Sequence, residues 1–233
     1  NDGAGNPPNP DGIKTDYLWK EILTKESLSN ILENYSQVVE KIDRKTNKVV
    51  GETMIFPRYH QLTVVRKLLA DTLRNEVGKR YLIQHSAGSG KSNSIAWLAY
   101  QLVKLEKSGK TFFDSIIVVT DRVNLDRQIR DTIRQFMQER SVVGWADDSS
   151  TLGSLLNAGK KIIITTIHKF PFILSSIGTE NKDKQFAIII DEAHSSQTGS
   201  LFAKMNMAVS GNVCDDEEDI EDKINKLIEG HRM

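Results

Sequence analysis

A glycine- and serine-rich segment near the middle of the chain contains the residues best suited to bind phosphate. It follows the apolar run Tyr81–Ile83 and leads into Ile95–Leu98, so the pattern predicts a strand, a glycine turn and a helix. Glycines let backbone N–H groups approach an anion, and the start of a helix directs unpaired N–H groups and the positive dipole end at the same place. The candidate phosphate-binding residues are Ser86, Ala87, Gly88, Ser89, Gly90, Lys91 and Ser92.

Two side chains add chemistry that this backbone cradle lacks. Lys91 can reach the outer phosphates of a nucleotide, and the Ser92 hydroxyl can bind the accompanying metal ion. The general pattern, G-x-x-x-x-G-K-[ST], has a glycine where this chain has His85. A plain glycine-serine turn with an exposed lysine is the alternative.

An acidic pair ends a second apolar run. Phe186–Ile190 is typical of a strand buried on both faces of a parallel sheet, and Asp191 and Glu192 follow it. Open α/β sheets bind their ligands at the carboxyl ends of strands. There Asp191 can hold Mg²⁺ and Glu192 can polarise an attacking water, so Lys91, Asp191 and Glu192 are the predicted catalytic residues. Without a phosphate site nearby, the pair is simply a solvated strand end.

Three further groups of residues are candidates for binding. Gln61, at the head of an expected helix, can read an adenine edge through its paired donor and acceptor, although a surface glutamine is the alternative. Hydroxyls and an arginine at strand ends can contact a DNA backbone, or they can cap helices. The candidates of this kind are Thr120, Asp121 and Arg122 after one strand, and Thr165 and Thr166 at another.

Strands and helices alternate from Tyr81 onward, which predicts an α/β fold with a mainly parallel sheet and helices on both faces. The expected strands are residues 81–84, 115–120, 161–165 and 186–190, and the expected helices are residues 91–107, 123–137, 152–156 and 168–177.

The preceding region is expected to form two helices and a hairpin. Ser27 is the expected N-cap of a first helix, and a second helix should open at Pro57 and end near Gly78. Paired valines at 38–39 and 49–50 predict the hairpin between them. We therefore expect residues 1–55 to be a linker and a helical and hairpin connector, and residues 56–233 to form the principal domain.

The composition is that of a soluble globular protein, with 39% apolar and 27% charged residues. No apolar run approaches the ~20 residues of a membrane helix, so we expect no membrane partner. Cys214 is the single cysteine, which fits a cytoplasmic location. Seven acidic residues fall within residues 215–222, and the rest of the chain has 31 basic against 24 acidic residues. A mildly basic body is compatible with a phosphate-rich partner.

Five motifs together resemble those of superfamily 2 helicases, in the same order along the chain. They are Arg58–Gln61, His85–Ser92, Val119–Arg122, Thr165–Thr166 and Asp191–Gln197. The stretches Gln84–Trp97 and Asp16–Trp19 are similar to the motor (restriction) subunit of type I restriction-modification enzymes. In that family His85 is the normal residue at its position.

This resemblance implies a RecA-like motor domain that uses ATP and Mg²⁺ to pull duplex DNA. It assigns adenine reading to Gln61, phosphate and metal contacts to Lys91 and Ser92, and metal and water activation to Asp191 and Glu192. The partners that it implies are double-stranded DNA and the methyltransferase and specificity subunits. The activity that it implies is that of an ATP-dependent type I site-specific deoxyribonuclease.

The resemblance also implies that the chain is a fragment, because a preceding nuclease domain, the next helicase motif and a second RecA-like domain lie outside it. We therefore expect weak nucleotide binding, negligible ATP turnover and no DNA translocation from these 233 residues alone. Two alternatives stay open, namely a superfamily 2 helicase of repair or remodelling type and a non-catalytic nucleotide-binding assembly module.

Overall fold

A computed structural model describes the part of the chain that carries most of these motifs. The described residues are 9, 11–43, 46, 48–75, 77–86, 88–120, 129, 132–133, 142–146, 149–166 and 184–191. Contacts divide the chain into two units, residues 1–110 with 131–138 and residues 111–130 with 139–233. The two units are described separately below.

The described residues up to Thr111 form helices and two small hairpins. After a short π-helical segment, Leu18–Ile22, come α1 (Lys25–Asn34), the antiparallel strands β1 (Gln37–Ile42) and β2 (Val49–Ile55), α2 (Tyr59–Asn75) and α3 (Lys91–Val103). The strands β3 (Glu106–Lys107) and β4 (Lys110–Thr111) form the second hairpin. The first hairpin and the two predicted helices before the glycine turn are therefore confirmed.

Two helix ends differ from the prediction. The Oγ1 atom of Thr24, rather than Ser27, caps α1 by accepting a hydrogen bond from the Ser27 N–H at 3.3 Å. A residue with extended backbone, such as Thr24, directs its hydroxyl at the first helical turn. Helix α3 ends at Val103 rather than at residue 107, because Ser108 and Gly109, with φ of 54° and 76°, turn the chain into the second hairpin.

Helix α1 packs on the helices that surround the glycine turn. Tyr35 and Trp97 are almost completely buried, their rings lie 5.8 Å apart, and the indole Nε1 donates to the Tyr35 carbonyl at 2.9 Å. Arg66 of α2 donates to the hydroxyl and carbonyl of Ser27 and to the side-chain oxygen of Asn30. The predicted connector therefore shares a core with α2 and α3, and its boundary near residue 55 stays a prediction.

The second unit is built on a parallel sheet. Its strands are β5 (Ser115–Thr120), β6 (Val143–Trp145), β7 (Ile162–Thr166) and β8 (Phe186–Ile190), arranged in the order β6-β7-β5-β8. The pairings β5 with β7, β5 with β8 and β6 with β7 are all parallel, so the carboxyl ends of the strands share one edge. The predicted α/β class with a parallel sheet is confirmed.

One face of this sheet is covered by α4 (Ser149–Asn157). The register aligns Ile117 with Ile163 on one side and Ile188 on the other, so a row of isoleucines crosses three strands. Ile117 and Ile163 are fully buried in a cluster with Leu156 of α4. Burial of each such side chain contributes about 1.5–3 kcal/mol, which favours docking of the helix.

Close packing of α4 explains a glycine in β6. A Cβ atom placed on Gly144 would lie 2.8–2.9 Å from both Leu155 methyl groups. Gly144 therefore lets the helix approach the sheet at this point. The short strand β6 was not predicted, because Val143–Trp145 is too brief to show a period.

The expected strand at residues 81–84 is wrong. Residues 79–86 form no regular secondary structure, Leu82 is 89% exposed, and the Tyr81 hydroxyl donates to Asp71 Oδ2 at 2.7 Å. A strand is stable only when a neighbour completes its hydrogen-bond ladder, and this segment pairs with none of the described strands. Three apolar residues alone do not form a stable strand without a neighbouring strand.

Other expected elements fall wholly or mostly outside the described residues. Within the expected helix at 123–137, only Ile129, Thr132 and Ile133 are described, and all three are helical. The expected helix at 168–177 and the acidic segment 215–222 lie outside. Among the helices that are described, none has both the length and the apolar character needed to cross a membrane.

Candidate nucleotide site

The glycine turn enters α3 in the way that the sequence predicts. Gly90 is the N-cap residue of the helix in a left-handed conformation, with φ of 84°, and no side chain caps it. Gly88 has φ of 73°, which residues with a Cβ rarely adopt. The Gly90 carbonyl accepts from the N–H groups of Asn93 and Ser94, which starts the helix. Phosphate commonly binds at such a glycine-led helix start.

Gln61 of α2 is bonded to this turn. Its Nε2 atom donates to the carbonyls of Ser89 at 3.2 Å and Gly90 at 3.0 Å, and its Oε1 accepts from the Arg58 N–H at 2.9 Å. The side chain is only 3% exposed. In this arrangement both ends of the amide are occupied by protein groups, so its predicted adenine contact stays a prediction.

Gln61 also restricts the residue at position 90. A Cβ atom built on Gly90 would lie 2.5 Å from Gln61 Nε2, which is closer than real contacts allow. The positive φ favours glycine at the start of the helix, and a side chain there would also displace the Gln61 amide from its hydrogen bonds.

A pair of histidines lies beside the same turn. His60 Nε2 is 3.2 Å from the Ser89 carbonyl, and the His60 and His85 rings meet edge to face with centroids 5.2 Å apart. Burial lowers the pKa of His85 below its usual value, and electrostatic interactions with His60 and with the Lys91 cation lower it further. His85 is therefore neutral near pH 7. Sequence reasoning missed this contact, although His85 at a glycine position was a signal for it.

The turn has features that fit a phosphate group. Ser89 Oγ is buried without a hydrogen-bond partner within the described part of the chain. Lys91 and Ser92 are half-buried in the first turn of α3. A buried hydroxyl, a cation and an uncapped helix start are donors suited to an anion. These residues therefore fit the outer phosphates of a nucleotide.

Asp191 occupies the strand end that was predicted for it. It follows β8, its N–H donates to the Val119 carbonyl at 2.9 Å, and 7% of it is exposed. Asp191 belongs to the second unit, whereas Lys91 and Ser92 belong to the first. No cluster of three metal-ligating side chains occurs among the residues that the structure describes. The shared magnesium site of Ser92 and Asp191 therefore stays a prediction.

The threonines proposed to contact DNA end two adjacent strands. Thr120 ends β5, Thr165 and Thr166 end β7, and the Thr120 hydroxyl donates to the Thr165 carbonyl at 3.4 Å. All three side chains are buried. The Thr120 hydroxyl therefore joins the ends of β5 and β7, and contact of these threonines with DNA stays a prediction.

Four predicted site residues lie outside the described part of the chain. They are Ala87 in the glycine turn, Glu192 after β8, and Asp121 and Arg122 after β5.

Comparison with known proteins identifies the family. A model of the SWI2/SNF2 ATPase family matches residues 60–214, about two thirds of the 233-residue chain. No curated protein matches the chain significantly. Among solved structures, the UvsW helicase of bacteriophage T4 is similar with a TM-score of 0.45 and 16% sequence identity. That similarity covers 81% of this chain and 57% of the helicase chain, so it spans little more than half of that structure. The family match includes Gln61, the glycine turn and the acidic pair, and the chain therefore belongs to the SWI2/SNF2 ATPase family.

Proposed function

We propose that this ATPase domain is the ATP-driven DNA motor of a type I restriction-modification enzyme. The family match that spans both the glycine turn and the acidic pair carries the proposal of ATP hydrolysis. The restriction assignment rests on the sequence resemblance of Gln84–Trp97 and Asp16–Trp19 to that family. By that resemblance, double-stranded DNA and the methyltransferase and specificity subunits are the proposed partners, in the cytoplasm.

Each proposed role follows from the chemistry of a side chain. Lys91 binds the outer phosphates as a point charge. Ser92 and Asp191 offer the oxygen ligands that Mg²⁺ prefers, and the bound ion supplies positive charge beside the phosphates. Glu192 orients and activates the attacking water, a function that phosphoryl transfer requires in addition to binding. Thr120 to Arg122 and Thr165–Thr166 form the proposed DNA-facing edge.

A second candidate is a repair or remodelling ATPase of superfamily 2. The description of the matching family, SWI2/SNF2 ATPase, favours it. Both candidates use the same site to hydrolyse ATP. They differ in their partner subunits and in whether they cleave DNA. A restriction enzyme requires methyltransferase and specificity subunits and cleaves DNA, whereas a remodelling motor does neither.

Nucleotide binding and hydrolysis test the shared part of the proposal. We expect the chain to bind Mg-ATP, and a longer protein that contains it to hydrolyse ATP when duplex DNA is added. Lys91→Ala should weaken Mg-ATP binding in calorimetry, and Glu192→Gln should preserve binding but abolish hydrolysis. Equal affinity of the Lys91→Ala variant and the original chain would refute the phosphate site.

A second measurement separates the two candidates. Duplex DNA is incubated with ATP and the longer protein, with and without methyltransferase and specificity subunits. DNA cleavage that requires those subunits supports the restriction motor. ATP-dependent movement without any dependence on them supports the remodelling type. If the longer protein hydrolyses no ATP in either condition, the non-catalytic module is favoured.

A further inference from the structure

We infer that His60 is a positioning residue that spans the base of the phosphate loop, residues 85–92, and holds its glycine turn ready for phosphate. The inference rests on the proposed nucleotide site and deepens it. His60 precedes Gln61 on α2 and contacts two residues of the loop, His85 at its start and Ser89 four residues later.

The contact with Ser89 has a defined direction. The Ser89 oxygen is a carbonyl and can only accept, so the His60 Nε2 atom must carry the proton and donate. The same carbonyl also accepts from Gln61 Nε2 at 3.2 Å. Two side chains from one helix turn therefore orient the peptide that precedes Gly90. The C=O and N–H groups of a trans peptide point in opposite directions. Because the Ser89 carbonyl points towards α2, the N–H of the same peptide points away from α2.

The contact with His85 fixes the other end of the loop. The two rings are nearly perpendicular, at 88°, which is the favourable edge-to-face geometry of aromatic pairs. His85 occupies a position where the general pattern has glycine, and a glycine there would offer no ring to contact. Because His60 touches both ends, loss of its hydrogen bond should loosen the loop without unfolding α2. A loop that is already ordered loses less conformational entropy when it binds a ligand.

Two variants of the 233-residue chain separate the hydrogen bond from the ring. His60→Phe keeps a ring against His85 but removes the donor, whereas His60→Gln keeps a donor and removes the ring. We expect His60→Phe to weaken Mg-ADP binding about fivefold in calorimetry, which corresponds to one ordinary hydrogen bond. His60→Gln should restore affinity to within about twofold. The control is Lys67→Ala, an exposed position on the same helix, which should leave affinity unchanged.

Two readouts distinguish loop positioning from general stability. In hydrogen exchange without nucleotide, the Ser89 N–H, which donates to the Ser86 carbonyl at 3.2 Å, should exchange faster in His60→Phe, at an unchanged melting temperature. In NMR titrations, the pKa of His85 should rise slightly in this variant, because burial, the largest cause of its lowering, remains while the electrostatic effect of the His60 ring is lost.

Each outcome decides the inference. Unchanged exchange in His60→Phe together with unchanged affinity would overturn the role of His60 while leaving the site of Lys91 intact. Faster exchange in a chain that binds no Mg-ADP would support positioning of the loop but overturn the proposed nucleotide site. Faster exchange with weaker binding, reversed by His60→Gln, supports both.

Discussion

At the scale of single residues, Gln61 has an arrangement that differs from the role its motif suggests. An adenine-reading glutamine needs one donor and one acceptor directed at the base. Here the donor is bonded to two loop carbonyls and the acceptor to the Arg58 N–H. Base recognition by Gln61 would therefore require at least one of these bonds to open when a nucleotide binds.

Substitution of Gln61 tests how much these bonds contribute. Gln61→Ala should lower the free energy of unfolding by about 1–2 kcal/mol, since three hydrogen bonds of a buried side chain are lost. The measurement is urea unfolding followed by circular dichroism. If Gln61 also reads adenine, calorimetry should show reduced discrimination between ATP and GTP.

Gln61→Glu is the matched control for the donor. A carboxylate can still accept from the Arg58 N–H, but it cannot donate to the Ser89 and Gly90 carbonyls and it repels them. We expect this variant to be at least as unstable as Gln61→Ala. Stability equal to that of the original chain in both variants would contradict the observed hydrogen bonds.

The sequence predicted the local structure around this candidate site, because that structure depends on neighbouring residues. The glycine turn, Lys91 at the first helical position and Asp191 after β8 all follow from residues adjacent in the chain. Contacts between distant segments were not predictable in this way. The bonds from His60 and Gln61 to Ser89 join residues 29 and 28 positions apart, respectively, and no periodicity encodes such a pairing.

At the scale of elements, the same distinction explains which strands were predicted. The largely apolar runs of β5, β7 and β8 were found within one residue of their bounds, since consecutive apolar residues leave a strong signal. The run at residues 81–84 has only three apolar residues and pairs with none of the described strands. Pairing depends on a partner elsewhere in the chain, and the run itself does not specify one.

Arg66 links two elements of the first unit, and its removal should loosen α1. The guanidinium of this α2 residue makes three hydrogen bonds to Ser27 and Asn30. Arg66→Met keeps an apolar stem but leaves these groups unpaired, so we expect a loss of about 2 kcal/mol in the free energy of unfolding. Urea unfolding provides the measurement.

Lys67→Met is the control for this experiment, since Lys67 is the exposed neighbour of Arg66 on the same helix. Its stability should change by no more than about 0.5 kcal/mol. A similar loss in both variants would show that the effect comes from the change of surface charge rather than from the link to α1.

At the scale of the whole molecule, the proposed magnesium site requires Ser92 of one unit and Asp191 of the other to bind the same ion. Replacing Mg²⁺ with Fe²⁺ tests this requirement, because iron with ascorbate and peroxide generates hydroxyl radicals that cleave the backbone close to the ion. In the presence of ADP, we expect cleavage near residue 92 and near residue 191. Mass spectrometry of the products locates both positions.

Asp191→Asn is the informative comparison, since it keeps the size of the side chain but removes the charge that attracts the ion. Cleavage near both residues should fall together in this variant. Cleavage that persists near residue 92 alone would mean that Asp191 and the phosphate loop do not share an ion, and the proposed catalytic arrangement would then be wrong.

The burial of Trp97 gives the first unit a built-in optical probe. Its indole is fully enclosed and bonded to the Tyr35 carbonyl, whereas Trp19 is half exposed and Trp145 is partly exposed. An indole in such a rigid, dry environment fluoresces at shorter wavelength than one in water. Because the partner carbonyl follows α1 and the indole lies in the helix that starts at the phosphate loop, a red shift in emission reports separation of these helices without any added label.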